Sequence, residues 1–202
     1  RCLPLDPCRT GQFFFKMRTL LYSGSFDPLH IGHLAILRSL CADPGVGRVL
    51  LVVSPQNPFK NPEKALSAEK RFRAAVLAVA RHPELDKVCV SDIELHMAPP
   101  HYTIRTLDAL RAECPDDDIR LVIGADNLGC IRGWYQYRRI LLEYGALVFP
   151  RRGYDIAGLR QDLLSEDALY RIDAVDAEQV DISSTDIRNA VSQGKDVSDL
   201  LM

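Results

Sequence analysis

Residues 19–33 read TLLYSGSFDPLHIGH, and the fold can be read outward from them. Residues 19–23 have strand character and run straight into Gly24, where the chain can turn sharply and a ligand can approach the backbone. Pro28 stiffens the loop, and a helix over residues 34–41 follows. His30 and His33 stand at that helix entrance, where unpaired backbone N–H groups and the helix dipole favour an anion. Two imidazoles placed there can donate hydrogen bonds to phosphate oxygens. The spacing is not the G-x-G-x-x-G dinucleotide fingerprint, and no Walker lysine follows, so neither of those readings applies. His-x-x-His spacing can hold zinc, but His82, His96 and His101 are scattered and no thiol spacing completes a ligand set. Taken alone, the segment leaves a pair of surface histidines open as the plain alternative.

The rest of the chain repeats the strand–helix alternation. Residues 48–54 are a continuous apolar run between Gly47 and Pro55, as in a strand buried on both faces. Ser67 opens a helix with Glu69 in its first turn and Phe72, Val76, Val79 and Ala80 on one side. Strands are predicted over 87–95, 121–123, 146–149 and 170–174. Helices are predicted from a Thr103 cap, over 135–142, over 156–164, and from Ser183, where Asp186 completes a capping box. The acidic run 116–118 reads as a solvated turn. Strands separated by helices imply right-handed crossovers and an α/β fold with a doubly wound parallel sheet, its ligand at the carboxyl ends of the strands.

Composition narrows the classes. The 202 residues are 47% hydrophobic and 26% charged, which excludes disorder, collagen and coiled coil. A net charge of -2 argues against a dedicated nucleic-acid binder. No apolar run approaches the roughly 18 residues that span a bilayer. Six cysteines include no C-x-x-C, and reduced thiols in a cytoplasmic protein are the expectation. The stretch before Met17 lacks a signal-peptide pattern. We therefore expect residues 1–16 to be a leader outside the fold and residues 17–202 to be one domain. The sequence leaves self-association open, as a homo-oligomer or a monomer.

A second motif lies about 150 residues after the first: Ile182-Ser183-Ser184-Thr185-Asp186-Ile187-Arg188. Its hydroxyls and backbone N–H groups at a helix start form an anion nest, and Arg188 can reach a phosphate with its planar fork. Alone, this segment could equally be a capped helix with a solvated arginine. Together, Gly24–His33 and Ile182–Arg188 resemble the G-x-F-D-P-x-H-x-G-H and I-S-S-T-x-I-R motifs of the nucleotidylyltransferase superfamily. Ser54-Pro55-Gln56-Asn57-Pro58-Phe59-Lys60, Tyr102-Thr103, Gly124-Ala125-Asp126 and Trp134-Tyr135 are similar to segments of bacterial nicotinate-mononucleotide adenylyltransferases. The resemblance covers roughly residues 18–200. Phe59 stands where many relatives carry a histidine, although Lys60 is kept. The chain also stops at Met202, where the family usually adds a short segment, so the packing of the last helix is expected to differ.

The resemblance implies a Rossmann-like nucleotidylyltransferase fold and transfer of the adenylyl group of ATP to nicotinate mononucleotide. It implies His30, His33 and Arg188 as catalytic residues on the phosphates. Gly24, Ser25, Phe26, Lys60, Gly124, Asp126, Ile182, Ser183, Ser184 and Thr185 would line the ATP side. Tyr102, Thr103, Trp134 and Tyr135 would line the acceptor side. Mg²⁺ would be held mainly by the substrate phosphates, with no dedicated protein site. Small-molecule substrates are expected, with neither nucleic acid nor membrane as partner. The alternatives are another transferase of this motif class, such as a pantetheine-phosphate adenylyltransferase or a cytidylyltransferase, and a catalytically silent nucleotide sensor.

Overall fold

The computed structural model describes residues 18–55, 67–175, 177, 180 and 182–202. The expected leader and Lys60 lie outside the described residues. Six strands, β1 (Arg18–Gly24), β2 (Val46–Val53), β3 (Val88–Ser91), β4 (Asp118–Gly124), β5 (Ala146–Phe149) and β6 (Ile172–Ala174), form one sheet in the order β3-β2-β1-β4-β5-β6. Every neighbouring pair is parallel. The strand order reverses between β1 and β4, which opens a crevice at their carboxyl ends.

Successive residues of a strand point to opposite faces, so a strand covered on both sides must be apolar throughout. Leu20 and Tyr22 of β1 pack with Val49 and Leu51 against Leu34, Leu37 and Leu40 of α1 (Ile31–Ala42) and against Ala75 of α2 (Ala68–Ala80). Leu21, with Leu50 and Val52, faces the other layer, against Ile104 and Leu107 of α3 (Thr103–Glu113). α4 (Ala125–Gly129) joins this second layer through Leu128, and α6 (Ile156–Glu166) through Leu163. Each such fully buried leucine contributes about 1.5–3 kcal/mol of transfer free energy. Among the described residues, no helix is long and apolar enough to cross a membrane.

Three expectations about secondary structure are corrected. The strand expected over 87–95 ends at Ser91, because the chain turns into a single 3-10 turn, Ile93–His96, that carries Glu94 inward. The helix expected over 135–142 is only the turn α5 (Tyr137–Arg139) followed by a π-helical turn, Ile140–Tyr144. Gln136 sits in the left-handed region at φ 55°, so no regular helix can pass through it. Tyr102, not Thr103, occupies the N-cap of α3 and contributes no side-chain cap.

The acidic run is a solvated turn only at Asp116; its next two carboxylates are paired. Asp118 opens β4 beside Arg18 and pairs with Arg171 at 2.9 Å, and Asp117 accepts from Thr19 Oγ1 and lies 3.5 Å from Arg48. Those ion pairs close the amino ends of the strands, far from the crevice. The thiols are not uniform either. Cys41 and Cys114 are free and half-buried and Cys130 is free and exposed, whereas Cys89 on the edge strand β3 is disulfide-bonded.

Candidate active site

The loop from Gly24 to His30 leaves the end of β1 under tight steric control. A Cβ on Gly24 would meet the Phe26 ring at 3.0 Å. Phe26 itself has a φ of 44° and is buried, edge-on to Tyr22 and to His33. What it presents to the crevice is therefore backbone, with its ring filling the wall behind.

His30 is the N-cap of α1 and His33 its third helical residue, and they cap the helix reciprocally. The Gly32 N–H donates to His30 Nδ1 and the His30 N–H to His33 Nδ1, each at 3.2 Å. The first turn of a helix has N–H groups with no internal partner, and here imidazoles satisfy two of them. A neutral imidazole that accepts at Nδ1 carries its proton at Nε2, so the helix start fixes both rings as Nε2–H donors. Their centroids lie 3.8 Å apart. His30 is only 2% exposed and His33 8% exposed, so neither is a surface side chain.

Burial, helped by the Arg151 guanidinium and opposed by Asp186, lowers the His30 pKa from 6.5 to about 4. The ring is therefore neutral at pH 7. Between those two values the unfolded chain binds a proton that the folded site refuses. Folding stability should then fall as the pH drops from 6.5 towards 4, with this residue contributing on the order of 3 kcal/mol over that window. Urea midpoints at pH 7, 5.5 and 4.5 test this against His30→Asn, which keeps an accepting cap and cannot titrate. We expect the variant to lose less stability on acidification. Parallel curves would refute the assignment.

The second motif docks on the first. Ser183 caps α7 (Ser184–Ser192) in a reciprocal box with Asp186, whose carboxylate accepts from the Ser183 N–H at 3.0 Å and from its hydroxyl at 2.6 Å. Those bonds hold the Asp186 pKa below the usual carboxylate range. Ser184 Oγ donates to the Pro28 carbonyl at 3.0 Å. Arg188 donates to the Asp27 carbonyl at 2.6 Å and to Thr185 Oγ1 at 2.9 Å. The three hydroxyls therefore build the junction, and because the Asp186 N–H donates to Ser183 Oγ, the Ser184 and Thr185 N–H groups are what the first turn leaves for an anion. No carboxylate pairs with Arg188 among the described residues. Gly32 makes the docking close: its missing Cβ would lie 3.0 Å from His30 and 3.5 Å from the Ile182 side chain.

At the end of β4, Gly124 caps α4, and a Cβ there would fall 2.2 Å from Asp126 Oδ1, so a side chain would displace that carboxylate. Across the crevice, the rings of Tyr102 and Tyr135 stack with centroids 4.5 Å apart and an angle of 26°. Thr103 opens α3 beside them, and Trp134 is half-buried against the α3-side core. The fold thus assembles two groups at the carboxyl ends of the strands: His30, His33 and Arg188 where α7 docks on the first loop, and an aromatic cluster at the start of α3.

Sequence reading missed three side chains. Arg71, 4% exposed in the first turn of α2, donates to the Ser25 and Pro55 carbonyls and so ties the loops after β1 and β2 together. Arg151, just after β5, lies over the Phe149 ring at 4.9 Å and 3.9 Å from Asp126. Glu94 accepts from the hydroxyls of Ser23, Ser54 and Thr106. The only sequence signal was for Arg71, four residues after the Ser67 cap and so one turn into its helix.

Comparison with known proteins agrees with this arrangement. A cytidylyltransferase-like family model matches residues 21–190. A Bacteroides fragilis protein named "Probable nicotinate-nucleotide adenylyltransferase" is 37% identical over 90% of this chain and 86% of its own. A Symbiobacterium thermophilum protein of the same name is 33% identical over 88% of this chain and 85% of its own. The fold matches a Plasmodium falciparum nicotinic acid mononucleotide adenylyltransferase, solved in complex with NaAD, with a TM-score of 0.74 at 19% identity, covering 91% of this chain and 88% of that one. With the histidine and I-S-S-T-x-I-R motifs joined at one crevice and this identity spread over most of the chain, the protein belongs to the cytidylyltransferase-like family, among the nicotinate-nucleotide adenylyltransferases.

Proposed function

We propose that this chain transfers the adenylyl group of ATP to nicotinate mononucleotide, releasing pyrophosphate and forming nicotinate adenine dinucleotide, a step of NAD biosynthesis. The observation that carries the reading is the imidazole pair locked as neutral Nε2–H donors at a helix N-terminus, beside the β1/β4 crevice. The 5′-phosphate oxygen of the mononucleotide attacks the α-phosphorus of ATP in line. The bond from that phosphorus to the α,β-bridging oxygen breaks, and pyrophosphate leaves with its electron pair. The nucleophile is already anionic, so no base is needed and the histidines transfer no proton. Positioning and charge stabilisation remain as the protein's work.

In this reading His30 and His33 donate to the α- and β-phosphates. Arg188 and the first-turn N–H groups of α7 hold the β/γ end. Gly124 and Asp126 face the adenosine, and Lys60 adds a point charge. Mg²⁺, when bound, neutralises charge on the triphosphate. It is a hard ion that keeps waters and phosphate oxygens as ligands. This fits a crevice whose two histidines have their Nδ1 atoms committed to the helix.

Pyrophosphate release from ATP with a panel of acceptors tests the function. Nicotinate mononucleotide should be preferred by at least tenfold. Preference for phosphopantetheine or an alcohol phosphate would overturn the reading, as would ATP binding without turnover on any acceptor.

On the acceptor side, Trp134 offers an indole face to a flat, cationic pyridinium, and stacking of this kind is worth about 1–3 kcal/mol. Trp134→Ala should raise KM for nicotinate mononucleotide about tenfold and leave KM for ATP within about twofold. Because the indole is also packed against the core, the variant will melt earlier, and Trp134→Phe should recover most of both losses. Equal rises in the two Michaelis constants would make Trp134 a core residue only.

A further inference from the structure

Glu94 is 3% exposed, and among the described residues the groups within hydrogen-bond reach of its carboxylate are uncharged hydroxyls. Thr106 Oγ1 donates to Oε1 at 2.9 Å, Ser54 Oγ to Oε2 at 2.7 Å, and Ser23 Oγ to Oε1 at 3.4 Å. No lysine, arginine or histidine pairs with it among the described residues. Buried carboxylates normally have a cation partner, because hydroxyls alone offset only part of the desolvation cost.

The position of this charge is informative. Ser23 and Ser54 mark the carboxyl ends of β1 and β2, so Glu94 lies at the ligand edge of the sheet, on the β2 side of the crevice. Thr106 is three residues along α3 from Thr103, and such pairs are neighbours on a helix face. Glu94 is therefore held within one turn of the start of α3, whose N-cap residue Tyr102 supplies no side-chain acceptor to its N–H groups. One end of this region offers the first-turn N–H groups of α3 and their partial positive charge, and the other a buried carboxylate held by three hydroxyls. A nicotinate ring carries the complementary pair, a carboxylate and a quaternary nitrogen that cannot shed its charge.

We propose that the carboxylate of Glu94 is the counter-charge for the pyridinium ring of the acceptor and makes the enzyme select the oxidised, cationic ring over the neutral dihydropyridine ring of the same shape. The inference rests on nicotinate mononucleotide being the acceptor. It assigns Glu94 a part in specificity, while phosphate chemistry stays with the histidines and Arg188.

The test is calorimetric affinity and kcat/KM for nicotinate mononucleotide and its 1,4-dihydropyridine form, measured on the full chain and on Glu94→Gln. ATP affinity and Tm serve as controls. The wild-type protein should prefer the pyridinium form by about tenfold or more, a size reasonable for one charge pair in a partly buried site. Glu94→Gln should weaken the pyridinium form by about the same factor and leave the dihydropyridine form and ATP within about threefold. If Glu94→Gln does not fold, Glu94→Asp, which keeps the charge, should retain the preference, and its loss there would overturn the proposal. Equal weakening of both ring forms would make Glu94 a structural anchor and also overturn it. A wild-type protein that binds both forms equally while turning over nicotinate mononucleotide would refute this inference alone. One that accepts neither form would refute the functional reading with it.

Discussion

Replacing His33 with alanine should lower kcat for pyrophosphate release by about 10²–10³-fold, the usual cost of one preorganised donor to developing charge, about 2.7–4 kcal/mol. Read as a surface histidine, it should leave the fold untouched when removed. The structure gives it a second task. His33 Nδ1 takes the His30 N–H at 3.2 Å, and the ring lies edge-on to Phe26 at 5.2 Å. Alanine therefore also removes a helix cap, at a cost of about 0.5–2 kcal/mol, or several degrees in Tm for a chain of this length. Asparagine separates the two effects, because its amide oxygen can accept the same N–H but cannot place a donor where Nε2 stands. Most of the Tm should return in His33→Asn and almost none of the rate. A His33→Asn enzyme with more than half of the wild-type rate would sink the phosphate assignment.

Arg188→Ala should reduce kcat/KM for ATP by about 10³-fold, the lower end of what a transition-state arginine contributes in phosphoryl transfer. Two of its N–H donors are spent on the Asp27 carbonyl and on Thr185. That leaves a positioned fork whose charge nothing among the described residues neutralises. The same bonds fasten α7 to the histidine loop, so the loss should appear in both KM and kcat. Lysine should recover less than a tenth of the loss, because a point charge cannot hold the Asp27 carbonyl and a phosphate together. A variant within threefold of wild type would make Arg188 a clasp for α7 and nothing more.

Much of this was legible in the chain because the signals were local. The apolar runs of β1 and β2, the glycine after β1, and the capping box of Ser183 and Asp186 each declare themselves within a few residues. Where the reading failed, the deciding partner was distant. Arg71 acts on Ser25, 46 residues before it, and Glu94 is fixed by Ser54, 40 residues before it. Neither pairing leaves a periodicity to detect. Asp116–Asp118 looked solvated because Arg48 and Arg171 approach from other strands and loops. The helix expected over 135–142 failed for a different reason. Its residues suit a helix, but the left-handed turn at Gln136 interrupts it. The histidine motif was legible as a helix start, yet the reciprocal capping that fixes both tautomers depends on how the two rings turn towards the backbone.

The docking of α7 has a consequence for synthesis on the ribosome. Ser184 meets Pro28 across 156 residues and Arg188 meets Asp27 across 161. At about 5–20 residues per second of elongation, the first motif emerges roughly 10–30 seconds before its partner. During that interval β1, α1 and β2 can condense through nearby contacts, and the two imidazoles can already cap α1. The nascent chain would then hold a half-built anion site with no arginine wall, able to attract nucleotide triphosphate but not to turn it over. Catalysis would begin only when α7 has left the tunnel and closed against the loop, so the arrival of the last helix sets when a new molecule joins the working pool.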